Sequence, residues 1–262
     1  MNIQIHGAGR AGGAFALAAA RAGHHIVGIA SRTDAHAERL SRLVPVEAGE
    51  PDLRIIAVRD DAIEGVAMDL AGGPPTATVH LSGALGVSVL ESIASNGTPT
   101  GAFHPLQSLP DAETGAASLP GSWIAVTAEE PLASTLEGFA RSIGCHPFRL
   151  EDDAKPMYHA AASAVANFTV ACLGIGEKLF DEAGVPFVAA QPLVHSVVAN
   201  AFALGPSSAM TGPIARGDVQ TVERQMRAVR RSDSGISDAF TDMARATAAF
   251  SGAPDAVIEA IG

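Results

Sequence analysis

Lysine is almost missing from this chain: Lys155 and Lys178 stand against fifteen arginines in 262 residues. Any role that needs an amine therefore has two candidates. Cysteine is as scarce, with Cys145 and Cys172 far apart and no Cys-x-x-Cys pair. A disulfide framework and a dithiol redox motif are both excluded, and buried apolar roles in a reducing compartment are expected. Basic residues are outnumbered, and a net charge of −11 argues against a nucleic-acid partner, which requires a basic face. The sole tyrosine, Tyr158, is followed at +4 by Ala162, so a Tyr-x-x-x-Lys catalytic pair is absent. Neither a G-x-x-x-x-G-K-[ST] loop nor a G-x-S-x-G nucleophile elbow occurs. The nine histidines lack metal-ligand spacing, so no metal site is expected. The longest apolar stretch, Ala160–Ile175, is broken by Asn167 and is short for a membrane span, so it reads as a buried helix. A strand pattern begins within two residues of Met1, so no signal peptide is expected and the location should be cytoplasmic.

What remains is an ordinary globular composition, 47% hydrophobic and 17% charged. The first half alternates short apolar runs with helical patterns, which predicts βαβ units and a doubly wound parallel sheet. Candidate strands are Asn2–His6, His25–Ala30, Leu53–Val58, Thr78–Leu81, Gly101–Phe103, Trp123–Thr127 and Pro147–Leu150. Helices are expected at Arg10–Ala22, closed by Gly23, at Asp34–Leu43 with Asp34 as cap, and at Asp60–Leu70, Val87–Ser95 and Pro131–Ile143. After Leu150 the strand signal stops. One uninterrupted helical run is expected from Asp153, its cap, to Ala183; at 1.5 Å per residue it would be roughly 45 Å long. Helices at Pro192–Leu204, Asp218–Arg231 and Asp233–Phe250, with a short one after Pro254, complete the chain. Two domains follow: residues 1–150, Rossmann-like, and 151–262, all-helical.

The strongest local signal is Gly7-Ala8-Gly9-Arg10-Ala11-Gly12, a G-x-G-x-x-G between a first strand and a first helix. The first glycine permits the turn, the second admits a pyrophosphate, and the third lets helix pack on sheet; the helix N-terminus faces the anion. A dinucleotide cofactor is therefore expected. The second strand ends in Ser31-Arg32-Thr33, where an NAD site would place a carboxylate on the ribose 2′-hydroxyl. A guanidinium and two hydroxyls suit a 2′-phosphate instead, pointing to NADP. Val58 and Arg59, after the third strand, and Ser82 and Gly83, after the fourth, fall at the edge where such cofactors lie.

Reduction of a C=O or C=N bond needs a proton donor or a cation beside the substrate. Lys155 and His159 are four apart, on one face of the long helix, and His104-Pro105 is placed in a loop after the fifth strand. Asn167, Thr211 and Arg216 are candidates for holding a small-molecule substrate. Each has a plainer reading: a solvated Lys155, core or turn-capping histidines, a structural Asn167 and a surface Arg216. Asp218 reads as a helix cap.

The segments IHGAGRAG, ASRT, AVRDDAI, HLSGALG, FHPLQSLPD, KPMYHAAASAVANF and MTGPIARGD resemble, nearly end to end, a family in which a Rossmann-like domain precedes DUF2520, a domain of unknown function. That family is a distant relative of pyrroline-5-carboxylate reductases, ketopantoate reductases and β-hydroxyacid dehydrogenases. The resemblance implies NADP binding, a C-terminal domain like that of 6-phosphogluconate dehydrogenase, and a homodimer through the long helix. In some members it implies ketopantoate reductase activity. The β-hydroxyacid dehydrogenase pattern of Lys with Asn four residues later is not kept, because His159 stands there. Reduction of a ketopantoate-like 2-oxo acid by NADPH leads, with a cyclic-imine reductase and a non-catalytic NADP sensor as the other readings.

Overall fold

The apolar runs of the first half are strands of one seven-stranded sheet with spatial order β2-β1-β3-β4-β5-β6-β7. In this computed structural model, which describes all 262 residues, they are β1 (Asn2–His6), β2 (His25–Ala30), β3 (Leu53–Ile56), β4 (Ala77–His80), β5 (Thr100–Leu106), β6 (Trp123–Ala128) and β7 (His146–Arg149). Between them lie α1 (Arg10–Arg21), α2 (Asp34–Leu43), α3 (Asp60–Leu70), a 3₁₀ turn (Val87–Leu90) running into α4 (Glu91–Ala94), α5 (Ala112–Ser118) and α6 (Leu132–Ser142). Neighbouring strand residues point to opposite faces. Ile55 joins a core with Ile3, Ile5, Phe15, Phe103 and Phe139, whereas Ile56 joins Ile63, Ala67, Leu90 and Ile93. Helices thus cover both faces, as a doubly wound sheet requires.

The structure corrects several expectations. The sheet is not wholly parallel, because β6 runs antiparallel to β5 while β7 is parallel to β6. That pairing lengthens β5, so His104 and Pro105 lie inside a strand, opposite Ala125 and Ile124, and not in a loop. Helix α5 was not expected; its cap is Asp111, which accepts from Thr114 N. Thr33 rather than Asp34 occupies the N-cap of α2, without a side-chain cap bond.

The chain divides into two compact units, Met1–Ala166 and Asn167–Gly262, at a point within the long helical segment. That segment opens as a 3₁₀ turn (Asp152–Ala154) and not on an Asp153 cap. It continues as α7 (Lys155–Ser163), a π turn (Ala164–Phe168) and α8 (Thr169–Glu182). The second unit then holds α9 (Gln191–Leu204), α10 (Pro206–Ala209), α11 (Val219–Val229), α12 (Ser234–Ser251) and α13 (Asp255–Ile261). Its core is Val222, Met226, Ala244, Ala248, Val257 and Ile261, and Asp218 caps α11 through Thr221 N at 3.1 Å.

Neither α8 nor α9 has a buried residue. The stretch expected to be a buried helix is therefore exposed in the single chain, as is Cys172, while Cys145 is buried. Apolarity signals a need for cover, and within one chain these side chains do not receive it. Two helical segments, Asp152–Glu182 and Phe187–Leu204, are long and apolar enough to cross a membrane by length and composition. Length therefore does not exclude a span, contrary to the expectation from the short apolar stretch.

Candidate active site

One part of the site is backbone. At the end of β1 the chain turns through Gly7, whose φ of +115° lies where side-chain-bearing residues are strained. A Cβ there would strike the Ala57 carbonyl, and a Cβ on Gly12 would strike the carbonyl of Gly7. Gly9 differs: a Cβ on it would meet nothing within 4 Å. It is the N-cap of α1, no side chain caps it, and the first turn carries no acidic residue. The leading N–H groups of a 12-residue helix, with Ala11 half-buried among them, are thus left open to an anion. Gly7 N donates to Ala30 O at 2.8 Å, tying this loop to the end of β2.

Beyond Ala30, Ser31 is half-buried, and Arg32 and Thr33 are exposed. Arg32 forms no ion pair, and neither does Arg10 at the helix start. The loop after β3 contributes Val58, half-buried against Gly7. Arg59 turns instead to Asp61, with contacts of 3.2 and 3.0 Å. These pieces meet where the strand order reverses between β1 and β3, the usual ligand edge of such sheets.

The other part is a polar cluster around Ser82. Its hydroxyl donates to Asp60 Oδ2 at 2.8 Å and accepts from Leu85 N at 3.0 Å and Ala84 N at 3.2 Å. Its N–H donates to His80 Nδ1 at 3.1 Å, leaving His80 Nε2 as the donor toward Gly86 O at 3.3 Å. Its carbonyl accepts from Lys155 Nζ at 3.2 Å. Lys155 is only 1% exposed, on the first turn of α7, and its ammonium has this single partner for three N–H groups. Burial lowers its pKa, against the pull of Asp152 and Asp60. Asp152 also accepts from Val87 N at 2.9 Å, fastening the loop after β4 to the start of the helix.

His104 packs over Gly83, where a Cβ would lie 2.7 Å from ring atoms Cε1 and Nε2. Its Nδ1 is 2.9 Å from the Tyr158 hydroxyl, and its ring centroid is 6.2 Å from that of His159. Burial, then the charge on Lys155, lowers the pKa of both His80 and His104 to about 4. Burial pushes the Tyr158 phenol up to about 12. Near neutral pH this is a pair of uncharged imidazoles and a protonated phenol beside one buried amine.

The structure brings together Lys155, His104, His159, Ser82 and Gly83 from the sequence candidates. It adds His80, Asp60, Asp152 and Tyr158, which were not among the site candidates; Tyr158 was marked by being the sole tyrosine, next to His159, and by its place in the segment KPMYHAAASAVANF. Asn167, exposed in the π turn, and the exposed Thr211 and Arg216 belong to the second unit, where the Arg216 guanidinium donates to the Thr211 carbonyl. No group of three or more His, Cys, Asp or Glu side chains is arranged to hold a metal ion.

Solved structures with the same fold include a Bacteroides fragilis protein described as an NADP oxidoreductase, 22% identical, with a TM-score of 0.82 over 94% of this chain and 97% of that one. A reductive aminase from Aspergillus terreus, in complex with NADPH and ethyl-5-oxohexanoate, aligns at 17% identity and a TM-score of 0.71 over 97% and 96%. An imine reductase from Streptomyces aurantiacus aligns over the whole of both chains at 18% identity and a TM-score of 0.68. No curated protein matches in sequence. Residues 1–105 match the family model of the Rossmann-like domain, and residues 122–247 match that of DUF2520, a domain of unknown function. The chain is thus a Rossmann-like domain followed by a DUF2520 domain.

Proposed function

We propose that this protein is an NADPH-dependent oxidoreductase that reduces the carbonyl of a small, anionic 2-oxo acid of the ketopantoate kind. The observation that carries the reading is Lys155: a buried amine with one carbonyl partner, beside a neutral histidine, at the carboxyl edge of β4. The glycine loop fits a dinucleotide, since Gly7 and Gly12 permit close backbone packing and Gly9 opens onto free space. The first-turn N–H groups of α1 would hold the pyrophosphate, and Arg32, with Ser31 and Thr33, the 2′-phosphate. When bound, NADPH supplies the hydride. Lys155 would stabilise the negative charge left on the substrate oxygen and supply the proton that completes the alcohol, while His104 would offer a hydrogen bond to it.

The same observation ranks the alternatives. Imine reduction draws support from the imine reductase and reductive aminase among the similar folds. A protonated C=N, however, would place a cation against the buried ammonium, which the carbonyl reading avoids. The exposed apolar residues Met157, Phe168, Val170, Leu193 and Phe202 are assigned to a homodimer interface rather than to lipid. The reason is that the long helix begins inside the Rossmann unit, tied to the sheet through Lys155 and Ser82.

The test is fluorescence titration with NADPH and NADH, followed by NADPH consumption on a panel of 2-oxo acids and cyclic imines. NADPH should bind roughly tenfold or more tightly than NADH, and a 2-oxo acid should turn over. Failure of either cofactor to bind would overturn the reading. Tight NADPH binding without turnover would favour a sensor.

A further inference from the structure

Tyr158 has a single hydrogen-bond partner, His104 Nδ1 at 2.9 Å. Its ring is held edge-on between those of His104 and Phe148, at centroid distances of 5.5 and 5.9 Å. A phenol donates well and accepts poorly, because its oxygen lone pair is shared with the ring, whereas an unprotonated imidazole nitrogen is a strong acceptor. The direction of this bond therefore decides which nitrogen of His104 carries its proton. The ring bears only one: burial first, then Lys155 and His159 on α7 and His80 on β4, disfavour a charge there, and Asp60 on α3 opposes them. His104 Nε2 has no partner within the chain and lies at Gly83, where even a methyl group would collide with it.

We propose that Tyr158 is a positioning residue whose hydroxyl donates to Nδ1 and locks His104 as the Nε2–H tautomer. An uncharged N–H donor is thereby left at Nε2, the ring nitrogen with no partner in the chain, to meet the substrate oxygen. The acceptor's identity rests on the reductase reading; the tautomer does not. This arrangement divides labour between two donors: Lys155 contributes charge, and His104 contributes direction without a second cation. The packing of the His104 ring over residue 83 requires glycine there.

The tautomer is read directly from long-range ¹H–¹⁵N correlations of the imidazoles in ¹⁵N-labelled protein near neutral pH. No cofactor is needed, so failed NADPH binding would sink the reductase reading and leave this test intact. His104 is assigned by the signals lost in His104→Gln. The wild-type pattern should show protonated Nε2 and unprotonated, hydrogen-bonded Nδ1. In Tyr158→Phe both nitrogens should move toward a mixed tautomer, with the circular dichroism spectrum unchanged. Because Tyr158 is the only tyrosine, biosynthetic 3-fluorotyrosine also probes this one phenol without a substitution. Its more acidic hydroxyl should shift the Nδ1 resonance toward a stronger hydrogen bond. A protonated Nδ1 in the wild type, or an Nδ1 resonance indifferent to the fluorinated phenol, would overturn the proposal.

Discussion

Acid is expected to destabilise this protein through its buried imidazoles, beginning above the range in which its carboxylates titrate. His6, His80 and His104 are each lowered from 6.5 to about 4, in every case chiefly by burial. Above 6.5 the histidines are neutral in both native and unfolded chains and contribute no pH dependence. Below it the unfolded chain takes up protons that the native chain refuses. Stability therefore falls as pH drops through the window from 6.5 to about 4 and levels off beneath it. Each tenfold loss of proton affinity on folding is worth about 1.4 kcal/mol, so a single fully buried histidine can remove up to about 3 kcal/mol. His80, with no exposed surface, approaches that figure, and the part-exposed His6 and His104 contribute less. Against a domain stability of about 5–15 kcal/mol the loss is large. The assay is urea unfolding at several pH values across the window, at fixed protein concentration. His80→Gln provides the internal control. It cannot titrate and should keep only one of the two ring hydrogen bonds, costing about 1 kcal/mol at neutral pH, while the acid slope becomes shallower by one histidine's share. A flat stability profile across the window, or equal slopes in wild type and His80→Gln, would refute the reasoning.

Four further outcomes are expected. Arg32→Ala should weaken NADPH binding by roughly tenfold or more and leave NADH nearly unchanged, measured by titration, because the guanidinium is proposed to serve only the 2′-phosphate. Lys155→Met should lower kcat on the identified substrate by roughly a hundredfold, the scale of one lost oxyanion donor, at unchanged NADPH affinity; full activity would move the catalytic role to His104 and His159. Gly83→Ala should cost about 1–3 kcal/mol in a denaturant melt, because its methyl group displaces a ring already held by Tyr158. Light scattering at micromolar concentration should report a dimer, and a stable monomer would leave the apolar faces of α8 and α9 unexplained.

The glycine loop was legible because its requirements are local. A turn with positive φ and a close helix–strand approach demand glycine at fixed offsets, so the turn at Gly7 and the packing at Gly12 could be expected before any contact was known. The βαβ rhythm was legible for a similar reason, since hydrophobic periodicity is set by the geometry of single elements. Lys155 stood out by scarcity and by its place at the start of a helix.

Strand direction was not legible. An apolar run has the same alternation whether its neighbour is parallel or antiparallel, so the reversal of β6 was invisible, and with it the inclusion of His104 in β5. The partners of the polar cluster were hidden because they are remote in sequence: Tyr158 meets His104 across 54 residues, and Lys155 meets Ser82 across 73. The sequence alone pointed to a glycine turn between β1 and α1 and to the need of the apolar stretch from Ala160 to Ile175 for a cover. Only the tertiary structure decided that the cover is not supplied within the chain, and that a lysine, two imidazoles and a phenol share one small volume. Burial and distance belong to packing between elements, and those properties set the protonation state of each group and the bonds it can make.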